Sequence, residues 1–339
     1  HMLLVDWTAN HGWHPPRINP YQNLSLDPAC NVFHYAFECF EGMKAFKDKS
    51  GYVRLFRPDK NMTRLNNSAS RIALPTFSSS AMIELISKLV LIDREFIPEG
   101  RGYSLYIRPT FIGTQKTIGV GPPNSALLYV IASPVGPYYQ TGFKALSLQA
   151  TDYAVRAWPG GVGDKKLGAN YASCIVPQLE AEKNGFQQNL WLFGSEEYIT
   201  EVGTMNVFVA ILNKENGAKE LITPPLDGTI LPGITRDSIL SLAKEKLASK
   251  GWKVIERKIS MAELDESSKE GRLIEAFGSG TAAVVSPIRY IGWKGKLVGC
   301  GLRPEQEAGY IASNMLNWIY ARQYGEEEHE WSYLIPNQS

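Results

Sequence analysis

The residues best suited to covalent chemistry lie near the middle of the chain, in Trp158-Pro-Gly-Gly-Val-Gly-Asp-Lys-Lys-Leu-Gly-Ala-Asn-Tyr171. Lys166 stands here among small or apolar neighbours, Gly163, Leu167, Gly168 and Ala169, with the Tyr171 hydroxyl shortly after it. A lysine attacks a carbonyl only as the neutral amine, so a nucleophilic lysine needs surroundings that lower its pKa. Small neighbours also let backbone and a bound group approach closely. Taken alone, the stretch reads more simply as a basic turn ahead of a helix at Cys174–Lys183.

Groups further along change that balance. Glu201 sits in Ile199-Thr-Glu-Val-Gly-Thr204, between a strand and a glycine turn, where a glutamate is usually exposed and structural. An amine that forms a Schiff base with pyridoxal phosphate, however, needs a carboxylate at the ring nitrogen to keep the ring protonated. The phosphate of such a group needs donors. Gly233-Ile234-Thr235 at a helix start offers backbone N–H groups and the positive end of the helix dipole. Gly278-Ser-Gly-Thr-Ala-Ala283, with the Thr281 hydroxyl, forms a second cup of this kind after a strand. Arg64, on a helix predicted over Asn61–Arg71, could supply a fixed positive charge, or be an ordinary helix arginine.

The elements that must position these groups alternate along the chain. Residues 3–20 mix aromatics and prolines and read as an extended arm packed on a core. Val32–Phe37 is rich in β-formers and predicts a strand; Met43–Phe46 and Tyr52–Arg57 predict a hairpin. Helices follow over Asn61–Arg71 and Ser79–Arg94, then strands over Tyr103–Ile112 and Ala126–Ser133, the second apolar on both faces. Pro134-Val-Gly-Pro137-Tyr-Tyr-Gln-Thr-Gly142 breaks the periodicity and marks a domain boundary near 137–145. The second half predicts strands at Ala145–Gln149, Asn189–Phe193, Tyr198–Thr200, Asn206–Leu212, Trp252–Lys258 and Arg272–Phe277. Helices are predicted over Ala172–Lys183, Ile234–Lys250, Met261–Lys269 and Pro304–Tyr324. The whole is a mixed α/β pattern.

Bulk properties exclude several classes. At 339 residues the chain can bury a sizeable core and form two domains. A net charge of +1 with 20% charged residues gives no electrostatic case for nucleic acid or a membrane surface. No apolar run reaches the roughly 18 residues of a membrane helix. Cys30, Cys39, Cys174 and Cys300 are scattered and read as free thiols of a reducing compartment, and neither they nor the histidines have metal-ligand spacing. No signal or transit peptide is visible, which leaves the compartment open.

Two motifs mislead. Gly278-x-Gly280-x-x-Ala283 fits a loose dinucleotide-binding pattern, but Pro287 stops any long helix after it. Gly161-Val-Gly163-Asp-Lys-Lys fails the phosphate-loop spacing. A Ser/His/Asp hydrolase is poorly supported, since no histidine lies between positions 35 and 328 and no Gly-x-Ser-x-Gly occurs.

Lys-Leu-Gly-Ala-Asn-Tyr, Thr-Glu-Val-Gly-Thr, Leu-Pro-Gly-Ile-Thr-Arg and Gly-Ser-Gly-Thr-Ala occur in this order. With Phe40-Glu-Gly-Met-Lys-Ala, Phe56-Arg-Pro-Asp-Lys-Asn-Met, Leu105-Tyr-Ile-Arg-Pro and Pro134-Val-Gly-Pro-Tyr-Tyr, they make the chain resemble the branched-chain amino acid aminotransferases, fungal members in particular. The resemblance covers residues 3–335. It implies a two-domain, mixed α/β, fold type IV pyridoxal phosphate enzyme and a homodimer. The expected parts are a smaller N-terminal α/β domain (1–137), a linker (138–145) and a larger C-terminal cofactor-binding domain (146–339).

By that resemblance Lys166 would be the Schiff-base lysine, beside a non-catalytic Lys165. Glu201 would pair with the pyridine nitrogen and Tyr171 with the ring hydroxyl. Arg64 would hold the phosphate, with donors at Ile234, Thr235 and Thr281. The substrate pocket would use Tyr35, Phe40, Tyr106, Tyr138 and Thr204 as a largely apolar wall. Arg108 would stand near a second, acidic substrate's side-chain carboxylate or organise the pocket's hydroxyls, and the Thr281-Ala282 backbone would take the substrate carboxylate. The Ile118-Gly-Val120 loop would reach across the dimer interface.

The implied reaction is a ping-pong transfer of the amino group of leucine, isoleucine or valine to 2-oxoglutarate, in biosynthesis or catabolism. The implied compartment is the cytoplasm or the mitochondrial matrix. Where mammalian members have a redox Cys-x-x-Cys, this chain has Ala283-Val-Val-Ser286, so thiol regulation of that kind is not expected. The chain also begins later than typical eukaryotic members do. D-amino acid aminotransferases and aminodeoxychorismate lyases share the lysine-then-glutamate order and are the rival enzymes; a non-catalytic relative is the rival of another class.

Overall fold

Two compact units, each built on its own sheet, make up the computed structural model, which describes residues 1–138 and 142–336. The first unit comprises His1–Pro137, Lys165–Ala169 and residues 320–336; the second comprises Tyr138–Asp164, less the undescribed residues, and Asn170–Ile319. Of the expected linker 138–145, residues 139–141 lie outside the described residues.

In the first unit the elements run β1 (Met2–Thr8), β2 (Gly12–Trp13), β3 (Arg17–Asn19), α1 (Asn31–Tyr35), β4 (Glu38–Phe40), β5 (Met43–Lys47) and β6 (Val53–Phe56). They continue as α2 (Pro58–Arg71), α3 (Ser79–Ile92), β7 (Ser104–Gly113) and β8 (Ser125–Val135). The antiparallel sheet has the order Ser332–Leu334, β6, β5, β7, β8, β1, β2, with β3 beside β1 and β4 beside β7. The extended N-terminal segment packs on the core as a strand: Met2, Leu3, Leu4 and Val5 are buried, and Leu3 faces Val130.

Val32–Phe37 is not a strand. Its β-forming residues lie mostly in the single turn α1, which ends where Ala36 enters the left-handed region (φ 53) and its N–H bonds to the Val32 carbonyl. Here local closure overrides a weak residue preference. Helix α2 starts at Pro58, where a missing N–H costs nothing. It buries Met62, Leu65 and Ala69, as its apolar spacing predicts, and also Asn61, Arg64 and Ser68. Polar side chains buried at helical spacing need partners. That stripe belongs to the candidate site.

The second unit runs through β9 (Leu146–Thr151), then α4 (Ala169–Ala172, opening on the last residue of the first unit's insert), α5 (Ile175–Lys183), β10 (Gln188–Phe193) and β11 (Tyr198–Val202). Next come β12 (Met205–Leu212), β13 (Lys219–Thr223), α6 (Ile234–Lys246), β14 (Trp252–Glu256) and α7 (Met261–Lys269). It closes with β15 (Leu273–Gly280), β16 (Val284–Trp293), β17 (Lys296–Gly299) and most of α8 (Tyr310–Gln323). The sheet order is β11, β10, β9, β16, β15, β12, β13, β14, with β17 on β16; β9–β10, β9–β16 and β13–β14 are parallel. Leu148, Leu190, Val207, Val209, Ile222 and Ile288 lie in its core.

Helix α7 has the predicted start at Met261, and the structure adds its cap: the Ser260 hydroxyl accepts from the Glu263 N–H at 3.1 Å. The segment after Gly278–Ala283 is the strand β16, which agrees with the rejection of a dinucleotide-binding helix there.

Candidate active site

The two units each hold part of the expected set of residues. In the first unit the sequence brings Lys166 to the edge of β4. The Phe40 N–H donates to the Lys166 carbonyl at 3.1 Å, Leu167 bridges to Cys39, and the Lys166 N–H donates to the buried Ser68 hydroxyl on α2 at 2.9 Å. With the backbone pinned at three points, the amine lies over the Phe40 ring, 4.7 Å from its centroid. Strand alternation places Glu38 on the same face of β4 as Phe40, while Cys39 between them turns into the core. The Glu38 carboxyl is pushed up by burial, an effect the Gly168 N–H and the nearby positive charges of Arg108 and Lys166 oppose.

Arg108, on β7, also stacks on Phe40, with its guanidinium carbon 4.7 Å from the ring centroid, and donates from Nη2 to the Tyr106 hydroxyl at 2.9 Å. The Tyr106 hydroxyl needs a glycine opposite: a Cβ on Gly42 would fall 2.2 Å from that oxygen. Tyr35, exposed at the end of α1, donates from its hydroxyl to the Ile118 carbonyl of the expected interface loop. Tyr138 is exposed.

Arg64 is fixed by a carboxylate. Its Nε and Nη2 reach the two oxygens of Glu41 at 2.6 and 2.8 Å, and the Asn61 amide donates to Glu41 at 2.7 Å. Glu41 is fully buried and Arg64 nearly so. The charges are matched within the unit, and the guanidinium is held in one orientation.

In the second unit Glu201 lies on β11, opposite Asn206 of β12, and is 2% exposed. Its Oε1 accepts from the Asn206 amide and the Leu231 N–H, both at 3.2 Å, and its Oε2 forms an ion pair with Arg156 Nη1 at 2.7 Å. Ile234 and Thr235 open α6, which no side chain caps, so the start of the helix presents its amides and positive dipole end to an anion. Thr281 is half-buried, Ala282 and Thr204 are exposed, and Tyr171 is half-buried on α4. Beside Thr281, the buried Ser279 hydroxyl has no partner among the described residues, a donor left over for a bound group.

The first unit holds an amine and an oriented arginine, and the second a buried carboxylate, an uncapped helix start and hydroxyl donors, the kinds of group that suit a phosphorylated pyridine aldehyde. Sequence reasoning missed Glu41, Glu38, Ser68, Arg156 and Asn206. For α2 a signal existed in the polar residues at core spacing; for Arg156 none did, because its partner lies on a distant strand. No helix among the described residues is long and apolar enough to cross a membrane, and no group of metal-ligating residues occurs among them.

Residues 38–291 match the family model for class IV amino-transferases. The chain is 59% identical over 336 residues to the cytosolic branched-chain-amino-acid aminotransferase of Saccharomyces cerevisiae, spanning 99% of this chain and 89% of that protein. It is 60% identical, with 99% and 86% coverage, to the mitochondrial protein of the same name from that organism. Among solved structures, the T.th. branched-chain amino acid aminotransferase with pyridoxamine 5'-phosphate superposes with a TM-score of 0.74, at 25% identity and 98% coverage of both chains.

Proposed function

The chain belongs to the class IV amino-transferases, and we propose that it is a branched-chain amino acid aminotransferase. It transfers the amino group of leucine, isoleucine or valine to 2-oxoglutarate in two half-reactions that use pyridoxal 5'-phosphate. The observation that carries this reading is the 59% identity, across 99% of the chain, to a protein of that name.

When bound, pyridoxal phosphate supplies an aldehyde that condenses with amines and a ring that withdraws electrons from the substrate's α-carbon. Lys166 would hold it covalently and, once released, take and return the substrate's α-proton as base and acid. Glu201 would accept from the ring nitrogen, and Tyr171 would bond the ring hydroxyl. Arg64, the Ile234 and Thr235 amides and the Thr281 hydroxyl would bind the phosphate.

Tyr35, Phe40, Tyr106, Tyr138 and Thr204 would line the substrate pocket. Aromatic walls favour branched apolar side chains, and Arg108, already stacked on Phe40, would meet the second carboxylate of 2-oxoglutarate. The Ala282 backbone would take the substrate carboxylate. A homodimer fits the exposure of Ile118 and Val120 on one loop and of Ile175 and Val176 on α5. The compartment in this reading is the cytosol or the mitochondrial matrix, in keeping with the cytosolic and mitochondrial yeast relatives.

Initial rates with L-leucine, D-alanine and aminodeoxychorismate as substrates test the assignment. Turnover is expected with L-leucine and 2-oxoglutarate; turnover confined to either of the other two would replace the assignment.

A further inference from the structure

Arg156 has no role in the residue set above, yet it is a buried cation beside the carboxylate expected to meet the cofactor ring. It follows β9 and is 8% exposed; its Nη1 lies 2.7 Å from Glu201 Oε2 and also reaches the Gly163 carbonyl at 3.4 Å. The loop that carries it is locked. A Cβ on Gly163 would lie 2.3 Å from the Ala157 Cβ and 2.8 Å from the Thr229 carbonyl oxygen, so only glycine permits that approach. The Asn170 amide donates to the Val162 carbonyl at 2.8 Å, which ties the same loop to α4.

Glu201 is thus approached from three separate places: Asn206 on β12, the Leu231 amide before α6, and Arg156. The first two are neutral and share Oε1. Arg156 brings a full charge, and it addresses Oε2. A carboxylate taken out of water stays ionised when a cation is placed against it, and a cation fixed on one side of it draws that oxygen toward itself.

We propose that Arg156 is a positioning residue for cofactor binding: it holds Glu201 ionised and aimed, so that Glu201 can accept from the protonated ring nitrogen of pyridoxal phosphate. This rests on the reading of Glu201 as the ring-nitrogen partner. The first unit contains the reverse arrangement, in which the carboxylate of Glu41 holds the cation of Arg64.

The test measures the affinity of the apoenzyme for pyridoxal phosphate, by quenching of protein fluorescence, in a double-mutant cycle of Arg156→Met and Glu201→Gln. Thermal melts of each apoenzyme serve as the control for folding. E201Q is expected to weaken binding, and R156M to weaken it by roughly ten- to a hundredfold, the range for loss of an interaction with a charged group. The double variant, which leaves neither charge of the pair buried alone, is expected to match E201Q within about twofold, because Arg156 acts only through Glu201. Arg156→Lys, which keeps the charge, should recover most of the R156M loss.

Wild-type affinity in R156M would overturn the proposal. So would losses that multiply in the double variant, or an R156K as weak as R156M with an unchanged melt. Wild-type affinity in E201Q would instead remove the role of Glu201 itself and the proposal with it, an outcome distinct from the others.

Discussion

The two units solve one electrostatic problem with opposite signs. In the first, the groups expected to act are cations: Arg64 is buried against Glu41, while Lys166 and Arg108 lie on the face of Phe40. In the second, the group expected to act is an anion, Glu201, buried against Arg156. Each unit matches its own buried charge, Arg64 with Glu41 and Glu201 with Arg156. A buried charge left without a partner costs several kcal/mol, so the matching is a condition for folding as well as for function. The difference lies in what remains for a ligand. The first unit offers an amine and an oriented guanidinium; the second offers a carboxylate and, at α6, backbone amides that need no counter-charge.

The largest expected effect separates the unit that reacts from the unit that holds. Lys166→Ala should leave at most a trace of transamination, with far-ultraviolet circular dichroism unchanged, since the backbone bonds of residue 166 to Ser68 and Phe40 survive the substitution. Normal turnover in that variant would end the comparison.

Next comes the Glu41–Arg64 pair. Arg64→Ala leaves Glu41 buried without its cation, and the apoenzyme should lose about 3–5 kcal/mol in chemical denaturation. Glu41→Met with Arg64→Met should recover much of that stability without recovering cofactor affinity. If affinity returned as well, Arg64 would be a structural residue only.

A smaller effect concerns the pocket wall. Gly42→Ala would displace the Tyr106 hydroxyl and with it the hydrogen bond to Arg108. The KM for 2-oxoglutarate should rise roughly three- to tenfold, the worth of one hydrogen bond, with less change for leucine. Equal changes for both would show that Arg108 does not select the acidic substrate.

The smallest effect is a pH dependence. Burial raises the Glu38 carboxyl above its ordinary 4.5. A carboxyl raised on folding contributes stability that is present below the unfolded value and is lost as pH rises through the folded one. Glu38→Gln removes that contribution, so the melting temperature of the variant relative to the wild type should be higher at pH 8 than at pH 4.5. The same difference at both pH values would mean that Glu38 titrates as if exposed.

The candidate residues were legible in the sequence chiefly through the motifs that carry the family resemblance, since Lys166 among glycines and Glu201 near Gly203 have simpler structural readings when each is taken alone. The partners of those residues were not. Glu41 and Arg64 meet between the β4–β5 turn and a helix, and Arg156 meets Glu201 only because loop and strand pack together, which no local periodicity encodes. The difference at Val32–Phe37 has a related cause, since a single turn held by one backbone bond to Ala36 carries too little pattern to oppose its β-forming residues. Long elements are plainer. The helix Met261–Lys269 has the expected bounds, and β7 and β8 lie within about two residues of theirs.

That this chain uses pyridoxal phosphate to take the amino group from a branched L-amino acid is tested most directly by visible absorbance. The purified protein is reconstituted with pyridoxal phosphate, and its spectrum is recorded before and after L-leucine is added without an oxo acid. The expected result is a band of lysine-bound cofactor that gives way to that of pyridoxamine phosphate, absent from the start in Lys166→Ala. A band that L-leucine leaves unchanged, or no band at all, would contradict it.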